Sequence, residues 1–306
     1  MAQAVAKQGL DRISGLSLPA GFASARKEAL ARLSAMGLPA RRDEYWRWTN
    51  PATLNAADPA AAAALDASDE APLFDGVDTL KLVFVDGVFD AEASDDLSGE
   101  GLEITRLATA PDLSWANALY GRLEARGQVP VARPFAALNT ACALDGVLIR
   151  VTAKVARPVH LVYVHKSETS DPILHHLLKL EEGAELTLLE SGPAGARFNK
   201  LMEAEIAPRA RLHHIRIQGR DHDRVAATHI FAQLAQESGL TKSTVSLLVR
   251  ELIDEGWVTE TGPAAAHGLG RPSTPLQLDG SRRAMIGVEI AVESLRVVGV
   301  SLTGEV

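Results

Sequence analysis

Apolar and polar positions alternate most clearly between Phe135 and Ile217. Three passages in this stretch resemble one another: PVHLVYV at 158–164, GAELTLLE at 183–190 and RARLHHIRI at 209–217. Aligned on their first residues, they start 25 and then 26 residues apart. Each carries side chains of one phase at alternate positions, Leu161/Tyr163, Leu186/Leu188 and Leu212/His214. Two further apolar runs, ILHHLLKLE at 173–181 and FNKLMEAEI at 198–206, lie between them. Short alternating runs separated by Gly, Pro and Asp predict strands rather than helices. A fixed period of this size predicts stacked units, each burying its apolar edge against the next. The expectation is a β-helix or a related β-solenoid, with about one coil per repeat.

The flanking pattern is different. Residues 1–40 read as helical, with Ala23, Leu30, Leu33 and Met36 on an apolar face and Arg26, Lys27, Glu28 and Arg32 opposite. Gly37 and Pro39 end that helix. RRDEYWRWTNP at 41–51 reads as an amphipathic helix end whose Tyr45, Trp46 and Trp48 pin it to a neighbouring sheet. Residues 55–72, rich in Ala, Asp and Pro, read as a loop or linker. LKLVFVDGVF at 80–89 predicts a hairpin turning on Asp86-Gly87. A helix is expected at about 112–126. DGVLIRV, from Asp145, should be the first strand of the solenoid.

Composition narrows the classes. The chain has 306 residues, 46% hydrophobic and 23% charged, which is ordinary for a globular protein. A net charge of −8 argues against a general polyanion-binding surface. The lone Cys142 excludes an internal disulfide framework and a CxxC metal site, and fits a reducing cytoplasm. No apolar run is long enough to span a membrane, and Met1–Leu10 lacks the apolar core of a signal peptide. A cytoplasmic protein is expected.

Two histidine pairs and the cysteine are the candidates for chemistry in this region. His175/His176 and His213/His214 fall within strands. Strand neighbours point to opposite faces, so neither pair can chelate one metal ion. Hydrogen-bonded strand histidines are the simpler expectation. Cys142, between Ala141 and Ala143, reads as a small buried hydrophobe.

RRDEYWRWTNP, LVFVDGVF, PFAALNTACALDGVLIRV, RPVHLVYVH and the GAELTLLE/RARLHHIRI rungs, taken in order, resemble the SufD branch of the SufB/SufD family. Members of that family serve iron–sulfur cluster assembly. The resemblance runs from about Leu16 to about Thr228. It implies a helical N-terminal region, a right-handed parallel β-helix, and partnership with SufB and the ATPase SufC. The family's functional Cys and His residues lie mostly in the second half of the β-helix and beyond, so the matching residues here are scaffold. No catalytic, cofactor-binding or metal residue is carried over, and no enzyme activity is expected. An iron–sulfur cluster is implied only through the family complex.

From about Phe231 the pattern changes again. FAQLAQESGLTKSTVSLLVRELIDEGWVTETG at 231–262 has the spacing of a helix–turn–helix followed by a wing. AQLAQESG is its first visible helix, Gly239 makes the turn and Thr241 caps the next helix. Val245, Leu248, Val249 and Leu252 form that helix's buried face. Lys242, Ser243, Thr244, Ser246 and Arg250 face outward, as side chains that meet phosphates and base edges do. WVTETG and GLGRPSTPLQL supply two wing strands, with Arg271 at the tip. With GRPSTP and MIGVEIAVESLRVVGVSLTGEV, this part resembles the N-terminal portion of a ROK-family repressor. The resemblance implies DNA as a partner through 231–276. Its 284–306 hairpin would begin an actin-like ATPase-type domain, but Glu289–Glu293 lacks the glycine pair that phosphate binding needs.

The expected fold class is mainly β with helical parts. The expected organisation is an N-terminal helical and α+β region at 1–130, a truncated β-helix at 131–230, a winged helix–turn–helix-like segment at 231–282, and the start of a ROK-type domain at 283–306. The expected function is a SufD-like scaffold component fused to a repressor fragment. A DNA-binding regulator and a non-functional fusion are the alternatives.

Overall fold

The computed structural model describes residues 12–13, 15–64, 73–129, 131–217 and 223–234, and the strand backbones at 258–260, 276–278, 284–291 and 294–301. The fold is mixed α/β, mostly sheet with few helices. It divides into two units, Met1–Gln236 and Glu237–Val306.

In the first unit the alternating runs become strands of two sheets. β1 (Leu80–Val85) and β2 (Val88–Asp90) form the expected hairpin. Its two turn residues, Asp86 and Gly87, both have positive φ, 49° and 83°. That is the turn whose twist matches paired strands. β3 (Ser98–Gly99) and β4 (Leu102–Arg106) follow. The chain then alternates between the sheets: β5 (Val147–Val151), β6 (Val159–Val164), β7 (Ile173–Leu180), β8 (Glu185–Ser191), β9 (Arg197–Ile206), β10 (Arg211–Arg216) and β11 (Val225–Leu234). The even-numbered strands join a sheet of order β10-β8-β6-β1-β2, and the odd ones a sheet of order β11-β9-β7-β5-β4-β3. Successive strands of this winding pair in parallel in both sheets.

The second repeat interval agrees with the ladder, because Arg211 sits opposite Glu185, 26 residues earlier. The first does not. Val159 pairs with Leu188, 29 residues on, rather than 25. The pairing of this strand is also interrupted: Lys154 bridges Glu185, 31 residues on, before the ladder resumes at Val159, so two extra residues bulge out around Pro158. Proline has no N–H to donate and cannot carry the ladder through. The slip from 25 to 29 is even, so the same side chains stay inward.

Leu82, Phe84, Ile149, Leu161, Leu178, Leu188, Phe198 and Met202 fill the space between the sheets. Helices cover the outer face of the odd-strand sheet. These are α1 (Ala23–Met36), α2 (Ala52–Asn55), α3 (Ser114–Leu119), α4 (Arg122–Arg126) and α5 (Pro134–Cys142). α5 starts with Pro134 in its first turn, where the missing N–H costs nothing, and all nine of its residues are buried. Two apolar layers form there, one around Leu33, Leu138 and Ile173, the other around Leu119, Leu123 and Leu177.

Several sequence expectations need correction. α1 begins only at Ala23, and residues 1–11 lie outside the described residues. Ala23 is exposed, while Arg26, expected on the polar face, is buried. It reaches the carbonyls of Ala141, in the last turn of α5, and of Ala143, just past its end, and lies over the Tyr120 ring. An arginine can take an inward position when carbonyls satisfy its fork. The helix expected at 112–126 is broken at Gly121, whose φ is 73°. At 44–46 there is only one short 3-10 turn, and Trp46 packs on helix α5 through Phe135 rather than on a sheet.

Among the described residues of the second unit there are two antiparallel pairs. β12 (Val258–Glu260) pairs with β13 (Leu276–Leu278), where the two wing strands were expected. β14 (Ala284–Ala291) pairs with β15 (Ser294–Ser301), as the expected hairpin. Among the described residues, no helix is long and apolar enough to cross a membrane.

Candidate functional site

The two histidine pairs fall on opposite strand faces, as alternation requires. His176 points between the sheets and His175 points out beneath the helices, and both are fully buried. Each anchors a different polar cluster.

The inner cluster links the two sheets. Lys200 on β9 donates to both carboxylate oxygens of Glu190 on β8, with Nζ 2.6 Å from Oε1. Both side chains are inaccessible to solvent. His214 on β10 holds Glu190 Oε1 at 2.6 Å, and the Tyr163 hydroxyl donates to Oε2 at 3.1 Å. The Val147 N–H donates to His176 Nδ1 at 3.1 Å. The proton of a neutral His176 must then sit on Nε2, which donates to the Tyr163 oxygen at 3.0 Å. The chain of donors therefore runs from His176 through Tyr163 to Glu190, and every lone pair of the carboxylate has a partner.

Electrostatics follow from this geometry. Burial favours a protonated Glu190, but the His214 hydrogen bond and the Lys200 charge outweigh it and hold the carboxyl well below the usual range. Burial pushes the Lys200 ammonium down to about 8, with Glu190 resisting the fall. Burial drives His176 down to about 3, and the Lys200 charge adds to the effect. At neutral pH the cluster is an ion pair with a neutral histidine beside it.

A pH dependence follows. The unfolded chain takes up a proton at His176 below about pH 6.5, while the folded chain does not until about pH 3. Stability is therefore full above 6.5 and is lost as pH falls through that window. His229, held down to about 4, and His160, lowered by burial, act in the same direction. From His176 alone the loss should reach roughly 2–3 kcal/mol by pH 4.5. Urea midpoints at several pH values would show it, and His176→Gln should flatten the slope between 6.5 and 4.5. An equal slope in that variant would count against the buried neutral imidazole.

The outer cluster centres on Glu203 of β9. Its Oε1 accepts the Leu123 and Glu124 N–H groups at 2.7 and 2.9 Å. Its Oε2 accepts the Gly121 N–H at 2.6 Å and faces His175 Nε2 at 2.9 Å. These are the unpaired amides at the start of α4, so a sheet residue caps a helix that has no cap of its own. A third cluster fastens the N-terminal segment. Arg197 and Arg12 share the Asp171 carboxylate, and Arg197 also donates to the Ala56 and Ala57 carbonyls.

Cys142 is buried and its thiol is pushed up to about 11 by burial, so it is no ready nucleophile or ligand. Among the described residues, no group of three or more His, Cys, Asp and Glu side chains is placed to hold a metal ion. Lys242, Ser243, Thr244, Ser246, Arg250 and Arg271 lie outside the described residues. Glu190, Lys200 and Glu203 were not singled out from sequence.

Comparison with known proteins gives two separate likenesses. Over 207 residues, 62% of the chain, it is 24% identical to the iron–sulfur cluster assembly protein SufD of Escherichia coli strain K12, covering 45% of that protein. Over 74 residues, 24% of the chain, it is 38% identical to the uncharacterized protein y4fQ of Sinorhizobium fredii, covering 19% of it. The chain thus spans less than half the length of the curated relatives it matches. The IclR helix-turn-helix domain matches residues 226–262. A winged regulator is consistent with that match, while the narrower ROK assignment finds no support in it. The match begins inside β11. Ala232–Leu234, read from sequence as the start of a helix, are strand here, paired with Ala204–Ile206 of β9. Phe231 lies directly over Gly127, where a side chain on that glycine would collide with its ring. Tertiary pairing has overridden the local helical pattern. Residues 235–239 lie outside the described residues.

Proposed function

We propose that the first unit is a non-enzymatic scaffold of the SufD type, acting in iron–sulfur cluster assembly beside SufB- and SufC-like partners. The observation that carries this is the parallel winding from β5 to β11, in a chain that is similar to SufD over 207 residues. It is what a partial parallel β-helix would produce. The polar clusters support a structural role, because each charged group in them is consumed by a partner within the fold. No resident cofactor is assigned to these residues. A cluster would be met only in the assembled complex. Affinity capture of the tagged chain from cells co-expressing the Escherichia coli SufB and SufC proteins tests this. Retention of either partner is expected, and recovery of the chain alone would remove the assignment.

A second function, DNA binding, is favoured by the IclR-type helix-turn-helix match at residues 226–262. Lys242, Ser243, Thr244, Ser246, Arg250 and Arg271 would make its contacts, with a cytoplasmic location common to both functions. Retention on duplex DNA should then fall with salt and be lost in Lys242→Ala/Arg250→Ala. Retention unchanged in that variant would dismiss these contacts.

A further inference from the structure

β11 forms one edge of its sheet, and no described strand pairs with its far side. The Val225 N–H donates inward, to the Ala196 carbonyl just before β9, at 3.0 Å. Along a strand the main-chain groups of successive residues point to alternate sides. The N–H and C=O groups of residues 226, 228, 230, 232 and 234 therefore face away from β9. The strand, VAATHIFAQL, holds no charged residue, glycine or proline over its ten positions. Natural edges of that length are usually blunted by charge, proline or a bulge. β10, an edge of the other sheet, is six residues long and has an arginine at each end.

The free edge of β11 borders a groove. Leu123, Arg126, Gly127 and Val129, on α4 and the turn after it, form one wall, and β11 forms the other. Two adjoining hollows, about 540 and 440 Å³, share Gly127, Ile230 and Phe231 and follow the strand from residue 228 to 234. Exposed apolar side chains gather along them. Val129 is 79% exposed, Leu234 61% and Ile230 50%. Patches of this kind mark interaction sites.

Charge in the groove has one sign. Arg126 lines the first hollow and Arg133 the second, and no Asp or Glu lines either. Arg126 donates to the neutral Gln233 side chain at 3.1 Å, and Arg133 lies over the Tyr45 ring at 5.9 Å. The carboxylates of α4 and β9 are engaged elsewhere. Glu124 meets Arg32 and Gln128, Glu203 holds the start of α4, and Glu205 meets Arg122.

We propose that β11 takes up an extended segment of a partner protein as an added strand, one whose side chains alternate between apolar and acidic. Its apolar phase would cover Ile230 and Leu234, and its carboxylates would turn toward α4 and meet Arg126 and Arg133. Unpaired main-chain groups select an extended peptide, and the arginines select the acidic one. A second copy of β11 is the poorer occupant, because it brings no carboxylate. The scaffold function does not enter this inference, and either can fail without the other.

Fluorescence anisotropy on the intact chain tests it with three labelled peptides: alternating Val and Glu, alternating Val and Lys, and the acidic peptide with an N-methylated main chain. Saturable, salt-sensitive binding of the first is expected, at least about tenfold tighter than of the other two. Ile230→Lys and the pair Arg126→Glu/Arg133→Glu should each weaken it about tenfold or more, with unchanged far-UV circular dichroism. Ile215→Lys, on the exposed face of β10, should leave it unchanged. No binding, equal binding of the Lys or the N-methylated peptide, or indifference to both groove variants would overturn the proposal. So would tighter binding of a single-stranded oligonucleotide or of phosphatidylserine vesicles. A dimer in sedimentation that Ile230→Lys turns into monomer would give the edge to a second copy and overturn it as well.

Discussion

Lys200→Met should destabilise the protein by about 3–5 kcal/mol, because it strands the Glu190 carboxylate between two sheets without its cation. The Tyr163 and His214 hydrogen bonds remain, but neither supplies a permanent charge. Protonation of Glu190 would relieve part of the cost, so the loss should shrink at acid pH. Adding Glu190→Gln should recover most of the stability. The amide still accepts from Tyr163, and no unpaired charge is left. The coupling between the two positions should be about 2 kcal/mol or more in a double-mutant cycle of urea midpoints. Strict additivity would show that the two sheets are not joined through this pair. The result would also explain why a buried ion pair is tolerated: each partner is costly alone, and together they are close to neutral.

Glu203→Ala should be as damaging. Three backbone N–H groups and His175 lose their acceptor at once. A buried donor left without a partner costs roughly 1–3 kcal/mol, so a total of about 4 kcal/mol or more is expected even if some water enters. Glu203→Gln should rescue little, since its NH₂ group would face donors. Glu205, two residues along the same strand, is a control. Its pair with Arg122 is about one-third exposed on each side, and Glu205→Ala should cost less than about 1 kcal/mol. Thermal melts of the three variants would rank them. Equal losses at 203 and 205 would contradict the capping role, because only Glu203 accepts the main-chain amides at the start of α4, while Glu205 meets the Arg122 side chain. α4 is five residues long and could not persist by propensity, so its melting should accompany the loss.

The alternating pattern carried most of the strand architecture. The hairpin at Asp86-Gly87 and the runs at 158–217 appear as strands because period-two alternation and turn residues are local signals. Pairing between strands is not local, which is why the 25-residue repeat does not give the 29-residue offset between β6 and β8. The polar clusters were readable in part. Leu186, Leu188 and Glu190 share one phase, as do Phe198, Lys200 and Met202. A charge on an inward phase signals a buried partner, although it does not say which strand supplies it. Glu203 gave no such hint, since its ligands are main-chain amides brought together by the break at Gly121. Tyr45 and Trp48 stay exposed because only Trp46, of the three rings at 45–48, is seated against the fold. The strand at 232–234 shows the same limit, because its partner β9 lies far away in sequence.

Competition with authentic SufD is the most direct test of the scaffold function. The tagged chain would be bound to the Escherichia coli SufB protein, and untagged SufD from the same organism titrated in. A chain that occupies the SufD position should release SufB progressively as SufD rises. SufB that never binds, or that stays bound at saturating SufD, would contradict it.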